Sequence, residues 1–169
     1  MTGTLIDIDA DTPRVGAALA VLSNRLADLR DPLAEIGELM VDSTFHRIGA
    51  GGPAPDGSPW APLAPSTLAR KKGPGPLREN LTLQGSFRYQ VEGDAVVWGT
   101  NLVYAAAQQF GLPARTIRPK RGKALAWPGA KHPVAKVNHP GLKPRPFLGV
   151  SIDDEGLIME VVQDYLGQP

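Results

Sequence analysis

Along the first quarter of the chain, apolar residues recur at alternating intervals of three and four positions. The members of this apolar stripe are Leu19, Leu22, Leu26, Leu29, Leu33, Ile36 and Met40. Such spacing places them on one face of an α-helix. Asp31-Pro32 interrupts the run, and because proline is tolerated in the first turn of a helix, the pattern predicts two consecutive helices with Asp31 capping the second. A coiled coil is the alternative, but three heptads broken by proline are too few to favour it, so we expect the stripe to pack in the core or against another subunit.

A different periodicity, the alternation of apolar and polar residues, follows in the middle of the chain. Residues 87–92 alternate in this way, Gly93-Asp94 comes next, and residues 96–98 are apolar again. Alternation with a period of two on either side of a Gly-Asp turn signal predicts a β-hairpin.

Beyond this hairpin the pattern becomes less regular. Residues 102–111, LVYAAAQQFG, predict a short helix closed by Gly111. Residues 116–129, TIRPKRGKALAWPG, predict a second hairpin with the basic residues 120–123 at its tip, and residues 132–141 predict a further short strand.

The chain ends in a segment with helical periodicity. Asp153 is predicted to cap this helix, since a short acidic side chain directly before an apolar periodic run is a typical helix start. One face of the helix carries Leu157, Ile158, Val161, Val162, Tyr165 and Leu166. The predicted order is N-terminal helices, a meander of short antiparallel strands with an embedded helix, and a C-terminal helix, which is an α+β fold.

Glycine and proline together make up about a fifth of the 169 residues, so long loops on a real core are expected. We predict a single α+β domain over residues 1–169. Its appendages are an N-terminal extended segment at 1–10, a long loop at 49–65 and a basic hairpin insert at 112–144. Ser66 is predicted to cap a short helix directly after the long loop.

The net charge of +1 hides a segregation of charge along the chain. No acidic residue lies between Asp94 and Asp153, whereas that interval contains Arg115, Arg118, Lys120, Arg121, Lys123, Lys131, Lys136, Lys143 and Arg145. The interval suits contact with an acidic protein surface or with a DNA-carrying lumen. Two alternatives remain open, namely a solvated basic edge that discourages strand-to-strand aggregation and sequence-specific DNA binding.

The sequence contains little that points to catalysis. It has no cysteine, and its three histidines, His46, His132 and His139, lack the convergent neighbours of a zinc site. No nucleophile elbow, metalloprotease motif or phosphate loop occurs. We therefore expect a protein that is not an enzyme and that uses no metal and no cofactor. Because the chain lacks a signal peptide and a long apolar run, we also expect it to be soluble, without a membrane partner.

Three motifs in a fixed order resemble the phage virion morphogenesis family, the tail completion proteins of contractile-tailed and related phages. They are DGSPWAPLAPSTLARKKG at 56–73, LTLQGSFRYQVEGDAVVWGTNLVYAAAQQFG at 81–111 and PRPFLGVSIDDEGLI at 144–158. The segment IRPKRGKALAWPG, followed by HPG and PRPF, is also similar to minor tail and head–tail joining proteins of siphophages.

The resemblance implies a structural virion component at the head-proximal end of the tail, in the tail or neck, assembled in the host cytoplasm. It implies a homo-oligomeric ring, a hexamer if it matches tail symmetry, whose partners are the tail tube and the head–tail connector. The alternative from another class is a basic nucleic-acid-binding module of bacterial or prophage origin.

Two groups of residues are candidates for contacts. Stiff proline-rich segments order at low entropic cost, and aromatic residues are enriched among interface hot spots. The candidates for subunit or ring contacts are Trp60, Pro62, Leu63, Arg145, Pro146, Phe147 and Leu148. In the alternative, Trp60 and Phe147 cover the protein's own core. The candidates for contact with lumen DNA or an acidic partner are Arg118, Lys120, Arg121 and Lys123.

Overall fold

A computed structural model of the protein describes residues 12–120, 122–126 and 132–167. The helices are α1 (Pro13–Ala27), α2 (Arg30–Ala50), α3 (Pro65–Leu68), α4 (Ala105–Phe110) and α5 (Ile152–Gly167), with a short 3₁₀ helix at Gln84–Ser86. The strands are β1 (Arg88–Glu92), β2 (Ala95–Gly99), β3 (Arg115–Ile117) and β4 (Val137–His139). This arrangement of helices and short antiparallel strand pairs confirms the α+β prediction. The predicted extended segment at 1–10 lies outside the described residues.

The break between the first two helices is where the sequence places it, but its chemistry differs. The residue preceding α2 is Leu29, which makes no side-chain capping hydrogen bond, and Asp31 lies inside the first turn. Asp28 instead accepts a hydrogen bond from the backbone N–H of Arg30 at 3.2 Å. The prediction that Asp31 caps the helix is therefore wrong, because α2 already begins at Arg30 and the Leu33 N–H donates to Leu29 O at 3.0 Å.

The apolar stripe divides at this break. Ile36 and Met40 on α2 are buried, whereas α1 buries no residue, with Leu19 61% and Leu26 54% exposed. The carboxyl end of α1 is held by α5, where Tyr165 Oη donates to the carbonyl of Asp28 at 2.6 Å. Only the α2 half of the stripe belongs to the chain's own core.

The first predicted hairpin forms with the expected turn. β1 pairs antiparallel with β2, and Glu92 lies opposite Ala95 across the Gly93-Asp94 turn. The hairpin packs on α2, and the approach is close, since a Cβ on Gly37 would come within 2.3 Å of the Tyr89 ring. A cluster on this side of α2 buries Ile36, Met40 and Val161 against Val96, Trp98 and other apolar side chains.

The main core cluster lies at the other end of α2. It consists of Ile48, Leu83, Phe87, Ala105 and Phe147. The rings of Phe87 and Phe147 meet edge to face, with centroids 5.6 Å apart. This cluster joins α2, the first hairpin, α4 and the segment that precedes α5, and Trp60 of the long loop packs against it, so it fixes the three ordered motifs relative to one another.

The second hairpin pairs its strands differently from the prediction, which placed both strands within residues 116–129. β3 pairs antiparallel with β4, and an isolated bridge joins Leu125 to Val134 farther out. Lys120 and Lys123 therefore precede the Leu125–Val134 bridge, on the outgoing branch, instead of forming the tip. Pro119 explains part of this result, because it has no backbone N–H and cannot continue the ladder of β3.

Two predicted helix caps are also corrected. The Asp154 backbone N–H donates to Ser151 Oγ at 3.2 Å, and the Ser151 backbone N–H donates to Asp154 Oδ2 at 2.8 Å. This reciprocal pair, instead of Asp153, caps α5. α3 follows Ala64 without a side-chain cap, so Ser66 is not a cap either. The predicted closure of α4 by Gly111 is confirmed, with φ of 77°. No helix in the described ranges is long and apolar enough to cross a membrane.

Candidate functional site

The three sequence motifs converge on one irregular stretch of backbone, residues 145–149. Three elements contact it, namely the loop at 60–62, the last turn of α4 and the end of α2, and its continuation leads into α5. We call this assembly the motif junction; it comprises residues 145–149 and 60–62 together with Gln109, Arg47 and Asp154.

The long loop and residues 145–149 are joined by reciprocal hydrogen bonds. Trp60 Nε1 donates to the carbonyl of Pro146 at 2.7 Å. In return, Arg145 donates from Nε to Ala61 O at 2.8 Å and from Nη2 to Pro62 O at 3.0 Å. Arg145 is only 4% exposed and burial lowers its pKa, so the two carbonyl dipoles are what stabilise its charge.

On the opposite side, the side chain of Gln109 replaces a neighbouring strand. Its Oε1 accepts the backbone N–H groups of Phe147 at 2.8 Å and Leu148 at 3.0 Å, and its Nε2 donates to Leu148 O at 3.0 Å. Prolines at 144 and 146 prevent a regular ladder here, because they supply no N–H. A side-chain amide carries both a donor and an acceptor, so it can pair with the remaining backbone N–H and C=O groups of this segment.

A buried ion pair completes the junction from the α2 side. Arg47 donates to Phe147 O at 2.9 Å and Gly149 O at 3.2 Å, and its Nη2 lies 2.8 Å from Asp154 Oδ2. The side chains of this pair are 8% and 5% exposed. Burial alone would raise the pKa of Asp154, but hydrogen bonds from Ser43, Ser151 and Arg47 outweigh it and hold the pKa below its ordinary value.

All the residues predicted as subunit contacts except Leu63 lie in the junction, and they differ in how deeply they are buried. Phe147 is 0% exposed and lies in the core of its own chain, which agrees with the alternative that this residue packs on its own subunit instead of on a neighbour. Trp60 is half-buried against the same core cluster. Pro62 is exposed, and Leu63 and Leu148 are half-buried, so their contact with another subunit stays a prediction.

Sequence reasoning missed three of the junction's residues, Arg47, Gln109 and Asp154. A signal for Asp154 was present, because serine followed by an acidic residue three positions later is the pattern of a capping box. Gln109 belongs to a quoted motif but had no assigned role. Nothing local connects Arg47 with Phe147, which lies 100 positions away.

The predicted basic contact residues lie apart from the junction. Arg118, Lys120 and Lys123 are exposed on the outgoing branch of the second hairpin, and Arg121 lies outside the described residues. Across the described parts of residues 112–144, no lysine or arginine forms an ion pair with a described carboxylate. Among the described residues, no group of three histidine or carboxylate side chains is placed to hold a metal ion.

The motifs of the sequence therefore build a braced junction of loops inside an α+β fold. Residues 10–167 match the model of the phage virion morphogenesis family, so the chain belongs to that family. This confirms the resemblance drawn from the motifs and assigns the protein to the structure or assembly of a phage virion. No curated protein and no solved structure matched the chain.

Proposed function

We propose that this protein is a ring-forming subunit that completes the phage tail at its head-proximal end and makes it competent to join the head. The role is structural, without a catalytic step. Its partners are further copies of itself, as a hexamer in register with the tail, together with the tail tube and the head–tail connector.

The observation that carries the proposal is the uncovered apolar face of α1. Its residues Val15, Leu19, Leu22 and Leu26 repeat at intervals of four, three and four positions and are all exposed. Contiguous exposed apolar surface on a soluble protein is typical of contact with another protein. A ring subunit needs such a surface in addition to its own core.

Further exposed apolar side chains support the same interpretation. Phe110 at the end of α4 is 78% exposed and Ile152 at the start of α5 is 85% exposed. Both residues belong to elements that the motif junction braces. A rigid support lowers the ordering cost of binding, so the junction suits a surface that must meet several neighbours in one geometry.

A nucleic-acid-binding module remains the alternative function, because the exposed cations Arg118, Lys120 and Lys123 have no described carboxylate partner. In the proposed role the protein lies at the tail or neck of the virion. The same cations then face the DNA-filled channel or an acidic neighbour.

Electron microscopy of the purified full-length protein, with and without tail tubes, tests the proposal. We expect a ring that caps one end of the tube. Protein that ignores tubes but coats duplex DNA, with an affinity that falls steeply as salt rises, would support the nucleic-acid module instead.

A further inference from the structure

We propose that the basic hairpin of one copy docks into an acidic, aromatic groove between α2 and β1 of a neighbouring copy. The basic hairpin denotes residues 112–144, and the α2–β1 groove is defined below. The inference rests on the proposed ring and names the surfaces that would join its subunits.

The α2–β1 groove is an open cavity of about 460 Å³. Its lining residues are Glu38, Val41, Asp42, Phe45, Phe87, Arg88 and Tyr89. Apolar and aromatic side chains form its floor, and the carboxylates of Glu38 and Asp42 stand one helical turn apart on its α2 rim. Tyr89 Oη donates to Glu38 Oε1 at 3.2 Å, which holds one of these carboxylates at the groove.

The acidic rim belongs to a longer row of charge along α2. The row consists of Asp31, Glu35, Glu38 and Asp42, spaced by four, three and four positions and all exposed. In the portion of the chain that the structure describes, no lysine or arginine forms an ion pair with any of the four, and Asp42 has only His46 nearby, at 3.4 Å. Arg30 lies next to Asp31 in the chain and Arg88 lines the groove, yet the four carboxylates outnumber these two cations, and such an acidic row beside aromatic side chains favours a cationic partner with apolar side chains.

The basic hairpin has that chemistry and is positioned to leave its own subunit. It contains no acidic residue, and apolar side chains such as Ile117 and Leu125 alternate with its cations. β3 and β4 pack against each other, without extensive packing on another described helix or strand. From Leu112 to Leu125 the chain spans at most about 45 Å when fully extended, well beyond the radius of gyration of a domain of this size, roughly 15 Å.

Because the hairpin and the groove are different surfaces of one chain, they can join copies head to tail, with the hairpin of each copy entering the groove of the next. Contacts of this kind close into rings when the rotation between copies is suitable. Packaged DNA would account for the exposed cations, but it would leave the acidic row and the apolar groove without a partner. The observations therefore favour a second copy of the chain over nucleic acid.

Cross-linking offers a direct test, since the chain has no cysteine of its own. One preparation carries Asp42→Cys, a second carries Lys123→Cys, and the two are mixed on tail tubes with a short bismaleimide. Each copy then has one thiol, so a product between the two preparations must join two subunits. We expect this heterodimer on a denaturing gel.

The control preparation carries Glu160→Cys, an exposed acidic position on α5, in place of Asp42→Cys. A product with position 160 but not with position 42 would place the hairpin on α5 and overturn the proposal. If electron microscopy shows a ring and position 42 gives no product, the docking fails while the proposed function stands. Without a ring on the tubes, the proposed function itself fails.

Charge exchange gives an independent readout in solution. Lys120→Glu with Lys123→Glu, or Glu38→Lys with Asp42→Lys, should each weaken self-association about tenfold or more, measured by sedimentation. Combining all four changes in one chain should restore it, because the charges are exchanged and the match is kept. The proposal is overturned if the four-fold variant self-associates no more tightly than either double variant. It is also overturned if Lys120→Glu with Lys123→Glu weakens only the binding of duplex DNA.

Discussion

Two cation-containing segments of this chain differ in burial. Residues 144–149 bury the side chains of Arg145 and Phe147, while residues 118–126 contain Arg118, Lys120 and Lys123, whose side chains are exposed. Both are irregular, and both carry proline next to a cation. Proline beside a cation therefore does not decide whether a segment is buried.

The difference lies in what meets the backbone of each segment. Trp60, Gln109, Arg47 and the carbonyls that accept from Arg145 satisfy the polar groups of residues 144–149, so this segment can be buried without loss. Among the described residues, the outgoing branch of the basic hairpin has β-type partners only at Leu112, β3 and Leu125. Residues 144–149 can therefore be buried because side chains from elsewhere in the chain supply the backbone hydrogen bonds that a neighbouring strand would otherwise provide.

The largest expected effect comes from removing the side chain that the buried segment inserts. Phe147→Ala should lower the free energy of unfolding by about 3–5 kcal/mol, because it leaves a cavity beside Phe87. Phe110→Ala is the matched control and should change stability by no more than about 0.5 kcal/mol, since its ring is mostly exposed. Denaturant unfolding of both variants measures this contrast, and equal losses would contradict it.

A comparable loss should follow from breaking the buried ion pair. Arg47→Met leaves the Asp154 carboxylate buried without its cation and should cost about 3–5 kcal/mol. The double variant Arg47→Met with Asp154→Asn should lose less than the two single losses added together, because no unpaired charge then remains. A double-mutant cycle by chemical denaturation checks this, and strict additivity would argue against coupling.

The same pair should make stability depend on pH. The pKa of Asp154 is lowered in the folded protein, so its contribution is fully present above the unfolded value near 3.9 and is lost as pH falls below it toward the folded value. The stability advantage of the natural chain over Asp154→Asn should therefore be greatest near neutral pH and shrink below about pH 4. Denaturant melts at several pH values measure the difference, and a flat profile down to pH 3 would contradict the assignment.

A smaller effect is expected from the indole that ties the long loop to the buried segment. Trp60→Phe keeps an aromatic ring but removes the bond to Pro146 O, and should cost about 1–1.5 kcal/mol beyond the change in packing. Trp98→Phe serves as the control, since Trp98 Nε1 donates to no group among the described residues. Equal losses for the two substitutions would show that the hydrogen bond contributes nothing.

The smallest effect should come from the exposed segment. Lys120→Glu with Lys123→Glu should change the free energy of unfolding of the monomer by no more than about 0.5 kcal/mol, since both side chains lie in solvent. Thermal and denaturant unfolding at low protein concentration check this. A loss above 2 kcal/mol would mean that these lysines support their own subunit.

Local sequence patterns predicted the elements whose contacts are local. The hairpin of β1 and β2 followed from alternation and a Gly-Asp turn, and the break between α1 and α2 followed from proline. Partners that are far apart in sequence were not predicted. β3 pairs with residues about twenty positions onward, and the helix cap at Ser151 depends on a choice among several adjacent acidic side chains.

The sequence by itself determined the α+β class, the helical and hairpin segments, and the family to which the chain belongs. Only the tertiary structure decided which half of the apolar stripe is buried and which proline-rich segment enters the core. The physical reason is the range of the interactions. Periodicity reports on neighbours a few residues away, whereas burial of residues 145–149 depends on Trp60 and Arg47, which lie 86 and 100 positions from their hydrogen-bond partners.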